Sequence, residues 1–115
     1  MEEINKVTVF VGNFSTENDL SKYIKEHFTE DGDIYSDFMK DLDIDFIDNQ
    51  FQEVLFLGKS ISKNDFKEFS YSDNFIDFIN EDLSNYNSLI LLYNFNFNSN
   101  RKPAKVKLIG VYDYK

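Results

Sequence analysis

The chain has 115 residues, 42% hydrophobic and 17% aromatic, with thirteen Phe, seven Tyr and no Trp, which is apolar material enough for one Phe-packed domain. It has no Cys, which excludes a disulfide framework, a thiolate metal site and a Cys nucleophile, and no stretch approaches the ~20 apolar residues of a membrane helix. A net charge of −9 and a pI near 4.4 argue against nucleic acid as a direct ligand, because phosphate binding rests on Lys and Arg, and favour a basic partner.

The opening MEEINKVTVFVG carries acids where a secretory signal carries bases, so a cytoplasmic location is expected. Lys6 to Gly12 then alternates Val7, Val9 and Val11 with Thr8 and Phe10, the pattern of an interior strand. Ser15 and Thr16 offer a helix N-cap, with Glu17 and Asp19 in the first turn. Leu20, Tyr23, Ile24, His27 and Phe28 follow at helical spacing, which predicts one apolar stripe running to Phe28. The single His lies on that stripe and reads as a packed imidazole, with no second His, Cys or nucleophile nearby in sequence to form a relay.

Glu30-Asp31-Gly32-Asp33 is a turn, and it opens the most unusual part of the chain. Between Glu30 and Glu53 stand nine acids (Glu30, Asp31, Asp33, Asp37, Asp41, Asp43, Asp45, Asp48 and Glu53) and one base, Lys40, a local charge of −8 that leaves only −1 for the rest. Acidity spread over a surface usually serves solubility; acidity gathered in one segment, interleaved with Phe38, Met39, Leu42, Ile44, Phe46, Ile47 and Phe51, reads as a partner-facing face over an apolar underside. Ser36 can cap a short helix that buries Phe38 and Leu42 and turns Asp37, Lys40 and Asp41 to water. From Asp41 the acids alternate with Leu42, Ile44 and Phe46, which would put Asp41, Asp43 and Asp45 on one side of an extended segment. Tyr35, Phe38, Phe46 and Phe51 are open to two readings, core residues or exposed anchors among carboxylates.

Gln52 to Leu57 reads as a short, largely buried strand closed by Gly58; Phe66 and Phe69 could anchor a short helix within Lys59 to Tyr71. Ser72 caps a further predicted helix that buries Phe75, Ile76, Ile79 and Leu83, and Asn85-Tyr86-Asn87 turns the chain. Ser88 to Phe95 is apolar on both faces, as a central strand must be. After a polar loop from Asn96 to Ala104, Lys105 to Tyr114 alternates again and reads as an edge strand. The expected fold is a single α+β domain, residues 1–115: about four strands in a mixed sheet, the last two an antiparallel pair, with two longer and one or two short helices.

Little in the sequence suggests catalysis. Asp41-x-Asp43-x-Asp45 matches the start of a calcium loop, but position 6 is Phe46 instead of Gly and position 12 is Gln52 instead of Glu. The four glycines are isolated, so no phosphate-cradling loop exists, and a run this charged is not the dry pocket that catalytic carboxylates need. Neither a catalytic residue, a metal site nor a cofactor is expected.

Six stretches in order, VTVFVGNF, EDGD, SDFMKDLDIDFIDNQF, SYSDNFIDFI, SLILLYNF and KLIGVYDY, resemble the immunity protein 22 family of bacterial polymorphic toxin systems. They cover almost the whole chain, and the SDFMKDLDIDF run and the LILLYNF strand are the more specific parts. The resemblance implies a small cytoplasmic inhibitor that binds the toxin domain of a cognate bacterial toxin, without catalysis or cofactor. Many such toxins are nucleases with basic clefts, which suits an acidic surface contributed by Asp31, Asp33, Asp37, Asp41, Asp43, Asp45 and Asp48. Recognition of one particular toxin could instead rest on the loops Lys59 to Asp65 and Asn96 to Lys102. On the residues alone two other functions stay open, an acidic nucleic-acid mimic that inhibits a DNA-binding protein and a calcium-responsive domain, as does the choice between monomer and homodimer.

Overall fold

Side-chain alternation builds the centre of the molecule. A computed structural model of the chain describes residues 2–115. Strand β1 (Glu2–Gly12) turns Val7, Val9 and Val11 into one core and Phe10 into another, and β5 (Ser88–Phe95), labelled in chain order, runs antiparallel beside it. Their register sets Val7, Val9 and Val11 opposite Tyr93, Leu91 and Leu89, and Phe10 opposite Ile90, so both strands are apolar on both faces. Strands β4 (Gln52–Phe56) and β6 (Val106–Asp113) form the edges of a sheet of order β4-β5-β1-β6 in which every pairing is antiparallel. Thr8, fully buried on the Phe10 side, donates from Oγ1 to Phe95 O (2.6 Å) and accepts from Phe97 N (3.3 Å), satisfying its hydroxyl and fixing the chain's exit from β5.

The α+β class and the edge position of the last strand agree with the sequence; the pairing does not. The sheet is not mixed, and the last two strands do not pair, because β1 lies between them. β1 takes an interior position, and the connection after β5, residues 96–105, carries the chain across the end of β1 to its free edge. Opposite Val9 and Phe10, β6 fits an extra residue, Ile109, a bulge of the kind that blunts an edge.

One face of the sheet is covered by α1 (Glu17–Ile24) and α2 (Asp37–Leu42), and the chain between them forms a small hairpin of β2 (His27–Phe28) and β3 (Ile34–Tyr35) whose Phe28 and Ile34 are exposed. Leu20, Tyr23, Phe38, Met39 and Leu42 pack there against Phe10, with the Phe10 and Phe38 rings edge to face at 5.5 Å. The first helix stops four residues short of its predicted end: Lys25 is extended and His27 and Phe28 pair with Tyr35 and Ile34. His, Phe and Thr are weak helix formers, and the turn at Gly32 (φ +87°) lets them pair across the hairpin, where His27 lies against the Tyr35 ring at 5.3 Å.

The other face is covered by residues 61–83. Phe66 sits in a 3-10 helix (Lys63–Glu68), close to the expected short helix, but the predicted helix after Ser72 is absent and two 3-10 turns (Ser72–Asn74 and Ile76–Phe78) replace it. The run is rich in Ser, Asn and Asp, whose side chains compete for backbone groups. Asp82, for example, accepts from Ser84 N (3.0 Å), and Asn74 leaves the local chain to donate to Tyr114 O (2.7 Å). Phe75, Ile79 and Leu83 nevertheless reach the core as their spacing predicts, and Ile76 is half-buried against it.

Candidate partner-binding face

Helix α2 shows why the acidic segment divides. Ser36 caps it, its Oγ accepting from Met39 N (3.0 Å), and Phe38, Met39 and Leu42 point into the core. The helix ends in a Schellman motif: Asp43 N donates to Lys40 O (3.1 Å), Ile44 N to Met39 O (3.0 Å), and Asp43 is left-handed at φ +56°. The segment is therefore not extended from Asp41, and the three alternating acids do not share a side.

Asp41 turns inward. Its carboxylate accepts from Tyr23 Oη (2.6 Å), Ala104 N (2.6 Å) and Lys105 N (3.0 Å), while its carbonyl accepts from Arg101 Nε (3.1 Å), so one residue ties α1, α2 and the loop before β6. Partial desolvation favours its neutral form, but the donors from Tyr23, Ala104 and Lys105 together outweigh that and hold its pKa below the usual carboxylate range. Burial first, then the hydrogen bond to Asp41, raises the Tyr23 hydroxyl so that it stays a donor. The expectation that Asp41 faces water fails because it is spent as an acceptor. Among the described residues, no group of three or more acidic or His side chains is placed to hold a metal ion.

Asp43, Asp45 and Asp48 behave differently. After the Schellman turn the chain buries Ile47, caps a 3-10 turn (Asn49–Phe51) with Asp48 Oδ1 accepting from Gln50 N (3.0 Å), and enters β4. Asn49 Nδ2 donates to Glu26 Oε1, fixing this loop to the connection after α1. Between the loop and the end of β5 lies a cleft of about 340 Å³, floored by Ile44, Phe46, Ile47, Phe51, Leu92 and Phe95 and rimmed by Asp43, Asp45, Asp48 and Glu2. A second hollow, on the other side of Ile44, is lined by Asp33, Ile34, Tyr35 and Lys40 together with Asp43 and Asp45.

Of the seven predicted acids, the fold thus brings Asp33, Asp43, Asp45 and Asp48 to one contiguous face. Asp31 stands on the exposed turn of the β2–β3 hairpin, and Asp37 lines a different hollow beside Lys22, Lys105 and Lys107. Of the four aromatic residues left open, Phe38 is core, Tyr35 is half-buried under Lys40 (4.3 Å from Nζ to the ring), and Phe46 and Phe51 are 62% and 43% exposed. Sequence reasoning missed Glu2 and the end of β5 as parts of the face; no local signal marks them, since only tertiary folding brings them together.

Asp43 occupies a backbone conformation that glycine holds with least strain. Asp43→Gly should therefore leave stability unchanged or raise it by up to about 1 kcal/mol, the relief of strain being partly offset by the entropy of a freer unfolded chain. A denaturant melt tests this; a clear loss of stability would mean that the carboxylate makes a stabilising contact of its own.

An α+β domain that turns one acidic, aromatic-floored face to solvent has the form of a binding module. The chain belongs to the immunity protein 22 family, whose model matches residues 7–115. Membership implies toxin neutralisation in general by binding a cognate toxin, and such families are typically inhibitors, not enzymes. No curated protein and no solved structure matches the chain. Among the described residues, no helix is long and apolar enough to cross a membrane.

Proposed function

We propose that the chain protects its producing cell by stoichiometric capture of a polymorphic toxin's domain, a nuclease in class, in the cytoplasm where such a toxin meets its substrate. The observation that carries this reading is the convergence of Asp43, Asp45 and Asp48 around exposed Phe46, with Asp33 in the adjoining hollow, in a member of an immunity family. A nuclease cleft is built to neutralise phosphates, and carboxylates held on a folded face can take the phosphates' place. The same field steers encounter, which can raise association toward about 10⁸ to 10⁹ M⁻¹s⁻¹ at low salt, and fast capture is what self-protection requires. The phenyl rings add contact that excludes water at the centre of an otherwise acidic patch.

The test is co-expression in a sensitive bacterium of this chain with the C-terminal domain of whichever protein is encoded next to it. Growth should be restored, and the two chains should co-purify at 1:1. Persistent toxicity with no complex would reject the pairing; a neighbour harmless on its own would remove the support for a toxin partner.

A further inference from the structure

Resting on the toxin-binding reading, we propose that the cleft between residues 43–51 and the end of β5 is a socket for one arginine side chain presented by the partner. Three observations fix the chemistry of the occupant. The floor is apolar and includes the exposed rings of Phe46 and Phe51, so a snug occupant must bring an apolar surface. The rim is Asp43, Asp45 and Asp48 with no Lys or Arg among the lining residues, and none of these three acids forms an ion pair among the described residues. A wholly apolar occupant would strip water from those carboxylates and return nothing, so the tip has to donate hydrogen bonds, and beside three carboxylates with no cation of their own a charged donor gains the most.

The third observation separates this cleft from the others. The chain's own cations already sit over its tyrosines, Lys40 on Tyr35 and Lys115 on Tyr71, whereas among the described residues no cation covers Phe46 or Phe51. The neighbouring hollow contains Lys40, and the one beside Asp37 contains Lys22, Lys105 and Lys107; the Phe46 cleft has no internal cation to fill it. At about 340 Å³ it lies within the roughly 300 to 1,000 Å³ range of ligand pockets, so an arginine side chain can enter it whole. Arginine fits better than lysine: its guanidinium is planar, stacks on a phenyl face, sheds water more readily and offers paired donors to a carboxylate.

The probe is N-acetyl-arginine methylamide, titrated into the intact chain and followed by NMR of the Phe rings, with the lysine and citrulline analogues as comparisons. Citrulline keeps the shape and loses the charge. Saturable shifts at Phe46 and Phe51 and at the backbone amides of residues 43–48, about threefold weaker for lysine and absent for citrulline, are expected, and Phe46→Ala with Phe51→Ala should abolish the amide shifts while circular dichroism is unchanged. If the double variant does not fold, Phe46→Leu keeps apolar area without a ring and should weaken arginine more than lysine. Equal response to citrulline, or arginine shifts at Asp31 and Asp37 with the two rings unmoved, overturns the socket. Should the rings respond to arginine although no toxin is captured, the socket stands and the toxin reading falls. Should a captured toxin bind the Phe46→Ala, Phe51→Ala variant undiminished, the socket falls and the toxin reading stands.

Discussion

Asp41→Ala should lower the melting temperature by about 10 °C at neutral pH, the largest effect expected of any acid in the acidic segment. The carboxylate receives three donors, from Tyr23, Ala104 and Lys105, and hydrogen bonds to a charged group are worth about 1.5 to 3 kcal/mol each before solvent exposure is allowed for. Asp41 is only half-buried and the Ala104 and Lys105 amides can turn to water, so a net loss of about 3 kcal/mol is the reasonable size. Tyr23 is the exception: it is 3% exposed, and its hydroxyl would be left without its acceptor. The pH dependence has a definite sign. Because the folded pKa of Asp41 is lowered, its contribution is fully present above the unfolded value near 3.9 and is lost as pH falls through the lower folded value. Asp41→Asn should thus melt below the parent at pH 7, and the difference should close in acid below about pH 4. Thermal melts at both pH values check this; a shift within about 2 °C at pH 7 would mean that water replaces the carboxylate at no cost.

That expectation inverts the role that the sequence suggests for Asp41, and the reason is instructive. Periodicity made the central strands legible: Val7, Val9, Val11 and Ser88 to Phe95 face the sides that their alternation requires. It also identified Phe75, Ile79 and Leu83 as core while misassigning the backbone that carries them, because a stripe at helical spacing can be met by successive 3-10 turns. His27 and Phe28 fit the helical stripe equally well and went to a hairpin, since a positive-φ turn four residues on makes pairing available. Strand neighbours were less legible: nothing local in β6 says that it pairs with β1 and not with β5. Within the acidic segment, composition located the charge but not its destinations. Whether a carboxylate meets water or backbone amides depends on residues 60 or more positions away, as Asp41 and Lys105 show. Phe46 is a case between these: two residues past Ile44, which packs against the core, it could be core or anchor by its spacing, and the fold leaves it 62% exposed.

Replacing Asp43, Asp45 and Asp48 together by Lys should slow toxin association by about 100-fold at low ionic strength and flatten its salt dependence. These are the three acids that rim the Phe46 cleft, and three reversals of two charges each move the net charge from −9 to −3. Including Asp41 would confound the experiment, because its loss weakens the fold that presents the others. Steering acts on the encounter, so the dissociation rate should change less than the association rate, apart from contacts made directly by the rim. The informative control is Asp31→Lys with Asp37→Lys, two acids of the same segment that the fold sends elsewhere. At physiological salt, charges beyond a screening length of about 8 Å contribute little, so the control should slow association only a few-fold while the rim variant remains strongly impaired. Stopped-flow association at two salt concentrations, with circular dichroism to verify the fold, separates the cases. Equal slowing by both variants would mean that net charge and not this face steers the toxin. Unimpaired association by the rim variant would reduce the acidic face to a solubility device and move recognition to the loops at residues 59–65 and 96–102.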